Sequence, residues 1–341
     1  MDFEYTIENN QVTITKYTGS SKDVTIPNEI EGLPVTTIAI YAFYSNKLTS
    51  INLPQNLTTI RQSAFRNNRL TSISLPQNCT TIGYFAFADN ELTSISLPQN
   101  YTTIGNFAFH NNFLTSISLP QNCTTIGIFT FSNNKLTSID LPQNCTTICQ
   151  SAFARNKLTS ISLPQNCTTI GQSAFWNNRL TSISLPQNCT TIGERAFMYN
   201  KLTSINLPQN ITTIEKWTFA NNKLTSIRLP QNLTTIGTHA FSFNKLTSIS
   251  LPQNITTIEK YAFQTNRLTS ISLPNKFRTN KQVTIIFNFS LKKLDNKNNK
   301  FIKPYLTKIL EDHHVHHHFH DIIIDYMMIL SSELIREAME A

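Results

Sequence analysis

The sequence predicts a solenoid of short parallel β-strands, joined by short helical or 3₁₀ turns and followed by a small helical C-terminal tail. The tetrapeptide LTSI recurs every 22 residues, eleven times between Leu48 and Leu268. Within each unit, apolar residues alternate as in a strand and the run ends at a proline. A fixed period in the twenties is typical of repeat proteins in which each repeat forms one coil.

The N-terminal segment predicts a cap for this array. Residues 3–7 and 12–14 alternate apolar and polar side chains around Asn9-Asn10, which is the pattern of a β-hairpin. An uncovered terminal coil would expose its core to water, so a capping element is expected there. We assign residues 1–34 to the cap.

Residues 35–274 are predicted to form about eleven coils. In the unit LTSISLPQNCTTIGYFAFADNE, Ile73 and Leu75 share the inward face of one strand, and Leu70 enters the core at the bend before it. The next residue is a proline, which cannot donate a ladder hydrogen bond and therefore ends that strand. Thr-Thr-Ile forms a second strand, and an Ala-Phe pair points inward from the turn that follows.

The offsets of LTSISLP, TTIG and AF resemble those of BspA-type leucine-rich repeats of surface proteins. The opening stretch FEYTIENNQVTITKYTGSSKDVTIPNEIEGLPVTTIAIYAF resembles the first segment of that family. The resemblance implies a leucine-rich-repeat solenoid that serves protein binding or adhesion. One departure is that Asn, as at Asn68 and Asn90, follows the AF turn where the family often has Cys.

The period breaks after Pro274. Residues 275–300 are a basic, Asn- and Lys-rich linker, and residues 301–341 are predicted to be a helical, His-rich tail. Helices are expected over 303–312 and 321–339, as a C-terminal cap or a docking element. The rival hypothesis is a reading-frame slip, which the coding DNA would reveal if it encodes QNxTTIG in another frame.

The tail contains the stretch EDHHVHHHFHD. In a helix, His313/His317 and His314/His318 would be i,i+4 pairs, a geometry that can hold Zn²⁺ or Ni²⁺. No H-E-x-x-H spacing supplies a catalytic base, and His-rich low-complexity sequence is the commoner case. We expect opportunistic metal binding at most, with no catalytic metal and no cofactor.

Five of the six cysteines, including Cys79, occupy a position that other coils fill with Leu, Ile or Tyr. Such interchange indicates a buried apolar site, where free Cys acts as a small hydrophobe. No CxxC spacing indicates zinc. Cys149 differs because it replaces the Gly of other coils, and it is a candidate for an exposed, reactive thiol.

An Asn-x-Thr glycosylation sequon occurs once per coil from Asn56 to Asn254. Glycans about 4.8 Å apart could not fit side by side. We therefore predict a stacked turn residue that hydrogen-bonds backbone groups from coil to coil. Glycosylation is discounted unless the chain is exported.

A basic residue precedes LTSI in nine coils, and only Glu91 and Phe113 interrupt the series. A row spaced by about 4.8 Å adds its field along the array, because the Debye length is about 8 Å. The row is a candidate site for an acidic partner surface or a polyanion; the alternative is that it only solvates a turn. The nine residues are Lys47, Arg69, Lys135, Lys157, Arg179, Lys201, Lys223, Lys245 and Arg267.

The exposed strand surface repeats Thr and Ser, whereas the positions after the second strand vary. Trp176, Trp217 and Tyr261 lie among these variable positions. Aromatic residues are favoured interface anchors, so they are candidate partner-binding residues. The alternative is that they pack against the next coil.

No nucleophile–base set, phosphate loop or carboxylate pair recurs, so we predict no enzyme. The favoured function is a protein-interaction or adhesion scaffold that binds a protein partner, for which an acidic surface is one candidate, and no specific nucleic acid. The alternatives are a structural or surface-coating array, with ice binding by the Thr/Ser ladders or polyanion binding as lesser options.

The first residues, MDFEYTIENNQ, lack the basic and apolar regions of a secretory signal. No apolar run approaches the ~18 residues of a membrane span. We therefore expect a soluble chain that is cytoplasmic by default, or at a cell or particle surface if another route exports it.

Overall fold

The computed structural model describes residues 2–101, 103–272 and 274, together with 294–295 and 300–301. No residue of this part of the chain is helical. Its strands are β1 (Phe3–Glu8), β2 (Gln11–Tyr17), β3 (Asp23–Thr25), β4 (Glu29–Ile30), β5 (Leu33–Ile38), β6 (Ser50–Asn52), β7 (Thr59–Ile60), β8 (Thr81–Ile82), β9 (Thr103–Ile104), β10 (Thr125–Ile126), β11 (Thr147–Ile148), β12 (Thr169–Ile170), β13 (Thr191–Ile192), β14 (Thr213–Ile214), β15 (Thr235–Ile236), β16 (Ser248–Ser250), β17 (Thr257–Ile258), β18 (Ser270–Ser272), β19 (Leu294–Asp295) and β20 (Lys300–Phe301).

The predicted N-terminal hairpin is confirmed. Strands β1 and β2 pair antiparallel, and Glu8 opposes Gln11 at the turn. Asn9 and Asn10 have φ of 50° and 58°, the left-handed conformation that a two-residue hairpin turn requires and that Asn tolerates. Strand β2 then pairs in parallel with β5, so the hairpin covers the first coil.

The two strands predicted for the repeated unit are present, and in most coils they pair in parallel with their equivalents 22 residues away. In the second strand, Thr125 lies opposite Thr147, and the same register continues through β9–β13. In many coils the first strand is so short that it pairs with the next coil through a single residue, as Ser74 does with Ser96. The coils therefore stack in register at about one strand spacing, roughly 4.8 Å.

The core is a set of identical side chains stacked along the array. Leu70, Ile73 and Leu75 are buried as predicted, and so are their equivalents in most coils. Neighbouring phenylalanine rings from Phe43 to Phe263 stack with centroids 5.0–5.8 Å apart. Each coil buries its apolar side chains against two neighbours, which one coil alone could not do.

A second buried ladder is polar and runs through the Asn that follows each AF turn. The Oδ1 atom of Asn156 accepts a hydrogen bond from the Leu136 N–H at 3.0 Å. Its Nδ2 donates to the carbonyls of Phe131 at 2.8 Å, Phe153 at 3.2 Å and Ala154 at 3.3 Å. This asparagine ladder supplies backbone groups at the end of each coil with partners from the next coil. Its members are Asn68, Asn90, Asn112, Asn134, Asn156, Asn178, Asn200, Asn222, Asn244 and Asn266.

Two successive tight turns, rather than a helical or 3₁₀ turn, follow the second strand. In one coil the Ala86 N–H donates to the Gly83 carbonyl at 3.3 Å, and the Ala88 N–H donates to Phe85 at 3.1 Å. Phe85 and Asp89 have φ of 58° and 57°. Residues in this left-handed region cannot continue a right-handed helix, so the chain reverses instead.

The intervening backbone groups bond to the neighbouring coil. The Phe87 N–H donates to the Ala108 carbonyl at 2.9 Å, which adds a third line of hydrogen bonds along the array. We call the surface of these turns, residues 84–89 and their equivalents, the turn face. Its first left-handed positions are Tyr41, Ser63, Phe85, Phe107, Phe129, Ser151, Ser173, Arg195, Trp217, His239 and Tyr261.

At the C-terminal end of the described chain, β18 pairs in parallel with β16 and antiparallel with β20. The predicted helices 303–312 and 321–339 and the His-rich stretch lie outside the described residues. Within the described part, no helix has the length and apolar character needed to cross a bilayer.

Candidate interaction surfaces

The nine predicted cations form an exposed row at the end of successive coils, which we call the basic row. Each one precedes a buried Leu that begins the next coil. The backbone of the row is held by hydrogen bonds between coils. The Lys157 N–H donates to the Leu136 carbonyl at 2.9 Å, and the Arg179 N–H donates to Leu158 at the same distance.

The basic row is free of carboxylate partners within the described residues. The salt bridges there join Lys16 to Glu4, Arg66 to Asp89 and Arg195 to Glu194, none of which belongs to the row. Phe113, which interrupts the row, has its ring centroid 3.8 Å from the Lys135 Nζ atom. The row therefore presents its positive charge to solvent.

The three aromatic candidates occupy different environments. Trp176 is 2% exposed and lies beneath the Arg155 guanidinium, whose Cζ is 5.1 Å from the indole. Burial removes Trp176 from the accessible surface, as the alternative interpretation expected. Trp217 is half-buried and Tyr261 is exposed.

The structure brings Trp217 and Tyr261 together through His239, which sequence reasoning did not select. The Trp217 and His239 rings stack at 3.9 Å, and the His239 and Tyr261 rings stack at 5.1 Å. The signal in the sequence was a spacing of 22 residues, which places equivalent side chains directly above one another. We call these three residues the aromatic stack.

A second histidine of the turn face, His110, lies in a coil nearer the N-terminus of the chain. Its Nδ1 atom lies 2.6 Å from the Ser132 Oγ. The Ser132 hydroxyl donates to the Phe129 carbonyl at 2.9 Å, so it accepts from an Nδ1–H of His110. Burial lowers the pKa of His110 to about 4, against an opposing effect of Asp89. The ring is therefore neutral near pH 7 and serves packing.

The sequon asparagines are exposed turn residues that bond from coil to coil, as predicted. The Nδ2 atom of Asn166 donates to the Gln143 carbonyl at 3.1 Å, and Asn210 donates to Gln187 at 3.0 Å. Threonines of the second strand also bond along the array, as in Thr168 Oγ1 to the Thr146 carbonyl at 3.4 Å. Both rows have a structural role.

The predicted burial of the repeated cysteines is confirmed, and all six thiols are free. Burial raises the pKa of Cys145 to about 12 and that of Cys167 to about 11. Cys149 is half-buried, and burial raises its pKa too. Because the thiolate is the reactive form, the environment of Cys149 does not favour the reactivity suggested by its position.

No group of three or more His, Cys, Asp or Glu residues in the described chain is arranged to hold a metal ion. The weak metal candidates His313, His317, His314 and His318 lie outside the described residues. Their role stays a prediction.

Solved structures with a similar fold are bacterial leucine-rich repeat proteins. One from Bacteroides ovatus has 24% identity and a TM-score of 0.60, covering 81% of this chain and 88% of that chain. A leucine-rich cell surface protein from Faecalibacterium prausnitzii has 23% identity and a TM-score of 0.51, with coverages of 85% and 97%. The pneumococcal vaccine antigen PcpA has 21% identity and a TM-score of 0.54, with coverages of 80% and 80%.

No curated protein matches the sequence. The family model of the BspA type leucine rich repeat region matches residues 15–112, 36–156, 80–203 and 190–308. These matches span most of the chain, and they agree with the stacked coils, the AF turns and the parallel strand ladders. The chain therefore belongs to the BspA-type leucine-rich repeat family.

Proposed function

We propose that this chain is a non-enzymatic scaffold for protein–protein interaction or adhesion, and that a protein partner contacts the turn face around the aromatic stack. Membership of a leucine-rich repeat family supports a protein-interaction or surface scaffold in general terms. Stacked repeats generally present extended binding surfaces. This supports binding rather than catalysis as the role of the array.

The observation that carries the proposal is the aromatic stack itself. Interfaces concentrate their binding energy in a few residues, with Trp and Tyr over-represented. Trp217 and Tyr261 keep exposed surface although each stacks on His239. Stacking restricts the side-chain rotamers before binding, which lowers the entropy lost when a partner docks.

The test removes the two aromatic side chains while preserving the backbone. Trp217 and Tyr261 have φ of 60° and 61°, and Asn tolerates this conformation better than Ala. The double variant Trp217→Asn/Tyr261→Asn is therefore the variant of choice. Tyr41→Asn is the matched control, because Tyr41 is an exposed aromatic residue with φ of 59° in the first coil.

Partners should be captured by crosslinking from cells that express the chain, identified by mass spectrometry, and their affinities measured individually with purified protein. We expect the double variant to lose roughly tenfold or more in affinity, because each anchor contributes at least about 1 kcal/mol. Tyr41→Asn should bind normally. Equal affinity of the double variant and the native chain would exclude the aromatic stack as the docking site.

A further inference from the structure

We propose that the basic row is a binding site for an extended, sulfated polysaccharide chain. This goes beyond the protein-binding role, which rests on the turn face. The inference rests on the regular spacing of the cations, the absence of carboxylate partners for them in the described chain, and the chemistry of the residues that flank them.

The cations form a single line along the array, with one cation per coil. From Lys135 to Arg267, seven successive coils each contribute one, and all seven side chains are exposed. At a strand spacing of about 4.8 Å, the six steps cover roughly 29 Å. Neighbouring charges lie well within a Debye length of about 8 Å, so their potentials add along the row.

This spacing is maintained by the backbone. From Arg69 to Arg267, the backbone N–H of every cation in the row donates to a Leu carbonyl of the preceding coil, at 2.8–2.9 Å. The Lys and Arg side chains are flexible, but their points of attachment are fixed. A ligand with regularly spaced anionic groups would meet one cation per step without rearranging the protein, which lowers the cost of binding.

The flanking residues favour a hydroxyl-rich ligand. After each row residue and its buried Leu come an exposed Thr and Ser, as in Thr159-Ser160 after Lys157. Their hydroxyls can donate to sulfate oxygens or exchange hydrogen bonds with sugar hydroxyls. An extended sulfated polysaccharide carries anionic groups at intervals along a hydroxyl-rich chain, which is the chemistry that a row of cations beside Thr and Ser hydroxyls can bind.

Other anionic macromolecules fit the row less well. Single-stranded nucleic acids bind by stacking bases on aromatic side chains, and the ring of Phe113 is already covered on one face by Lys135. A protein interface needs about 800 Å² per partner and an apolar centre. A row one residue wide, with Thr and Ser side chains along one side, offers neither.

The decisive experiment compares two charge reversals that change the net charge equally. Glu91→Lys inserts a cation at the row position that Glu91 interrupts, whereas Glu215→Lys adds one at an exposed residue of a turn, off the row. Heparin fragments of defined length are the probe, with affinity measured by calorimetry at several salt concentrations. We expect Glu91→Lys to bind heparin roughly threefold tighter than native and Glu215→Lys to bind nearly as native. Equal gains would overturn the proposal, because net charge alone would then explain binding.

A loss-of-function pair completes the test. Lys157→Gln/Lys201→Gln/Lys245→Gln removes every second cation, and Arg61→Gln/Lys216→Gln/Lys260→Gln removes three exposed cations outside the row. Only the first variant should weaken heparin binding, by about tenfold, and thermal melts should show both folded. Native affinity should rise with fragment length until the row is covered. Tighter binding of oligo-dT or polyglutamate than of heparin at equal charge would assign the row to nucleic acid or to an acidic protein instead.

Discussion

At the scale of single residues, His110 links the packing of the turn face to pH. Its ring lies between two aromatic side chains, with centroids 5.9 Å from Phe107 and 6.2 Å from Phe129. Burial disfavours the charged imidazolium; Arg66 and Arg155 add to this effect and Asp89 opposes it. The folded pKa of about 4 therefore lies below the ordinary value of 6.5.

The lowered pKa of His110 predicts that acid reduces the free energy of unfolding before the carboxylates are fully protonated. Between pH 6.5 and about 4 the unfolded chain binds a proton at this histidine and the folded chain does not, so the free energy of unfolding falls as pH falls. His110 should contribute a loss of up to about 3 kcal/mol, complete near pH 4. Urea midpoints from pH 7.5 to 4 would measure it.

The control for this prediction is His110→Gln, which removes the titration while keeping a polar side chain. Its midpoint should vary less with pH than that of the native chain over the same interval. Identical pH profiles of the two proteins would show that His110 does not control the acid sensitivity.

At the scale of one coil, the sequon asparagine and the ladder asparagine differ in burial and in number of hydrogen bonds, although both repeat every 22 residues. Asn144, in the sequon, is exposed and makes one hydrogen bond, to the Gln121 carbonyl at 3.3 Å. Asn156, in the asparagine ladder, is buried and bonds one N–H and three carbonyls. The cost of removing each amide should therefore differ widely.

We expect Asn156→Ala to lower the free energy of unfolding by about 2–4 kcal/mol, because it leaves buried backbone groups without partners. Asn144→Ala, the matched control in the same coil, should cost less than about 1 kcal/mol. Chemical denaturation of both variants checks this. Similar costs would mean that solvent or neighbouring groups replace the buried amide.

At the scale of the whole array, stability is expected to be a sum of coils and of interfaces between neighbouring coils. The interfaces are nearly interchangeable, since the same Leu, Ile, Ala and Phe positions are buried from coil to coil. Removing one complete unit should therefore restore the same contacts between the coils on either side of it.

Deletion of residues 158–179 tests this. Lys157 would then precede Leu180, and the register of every ladder would be preserved. We expect a folded protein whose denaturant m-value falls by roughly a tenth, in proportion to the surface buried by one coil. Deletion of 158–168 alone is the control; it places unlike strands together and should abolish cooperative unfolding. Loss of folding in the full-unit deletion would contradict the additive view.

The sequence by itself determined the 22-residue coil, its two parallel strands, the N-terminal hairpin and the burial of the repeated cysteines. It could do so because each depends on local patterns repeated many times, so that one unit constrains all the others. The same repetition predicted the basic row, because a fixed period aligns equivalent residues of successive coils.

Only the tertiary structure decided the geometry of the turns and the fate of the variable side chains. Left-handed positions such as Phe85 and Asp89 are not marked by glycine in the sequence. They keep this conformation because backbone hydrogen bonds to the neighbouring coil hold them. Trp176 and Trp217 occupy different positions of the unit. Trp176 lies at the buried position of Ala154 and Ala220, whereas Trp217 lies at the left-handed position of Phe85 and stacks on His239. The ring stacking of Trp217 depends on the residue that the next coil supplies, and that is a property of the stacked array rather than of the unit.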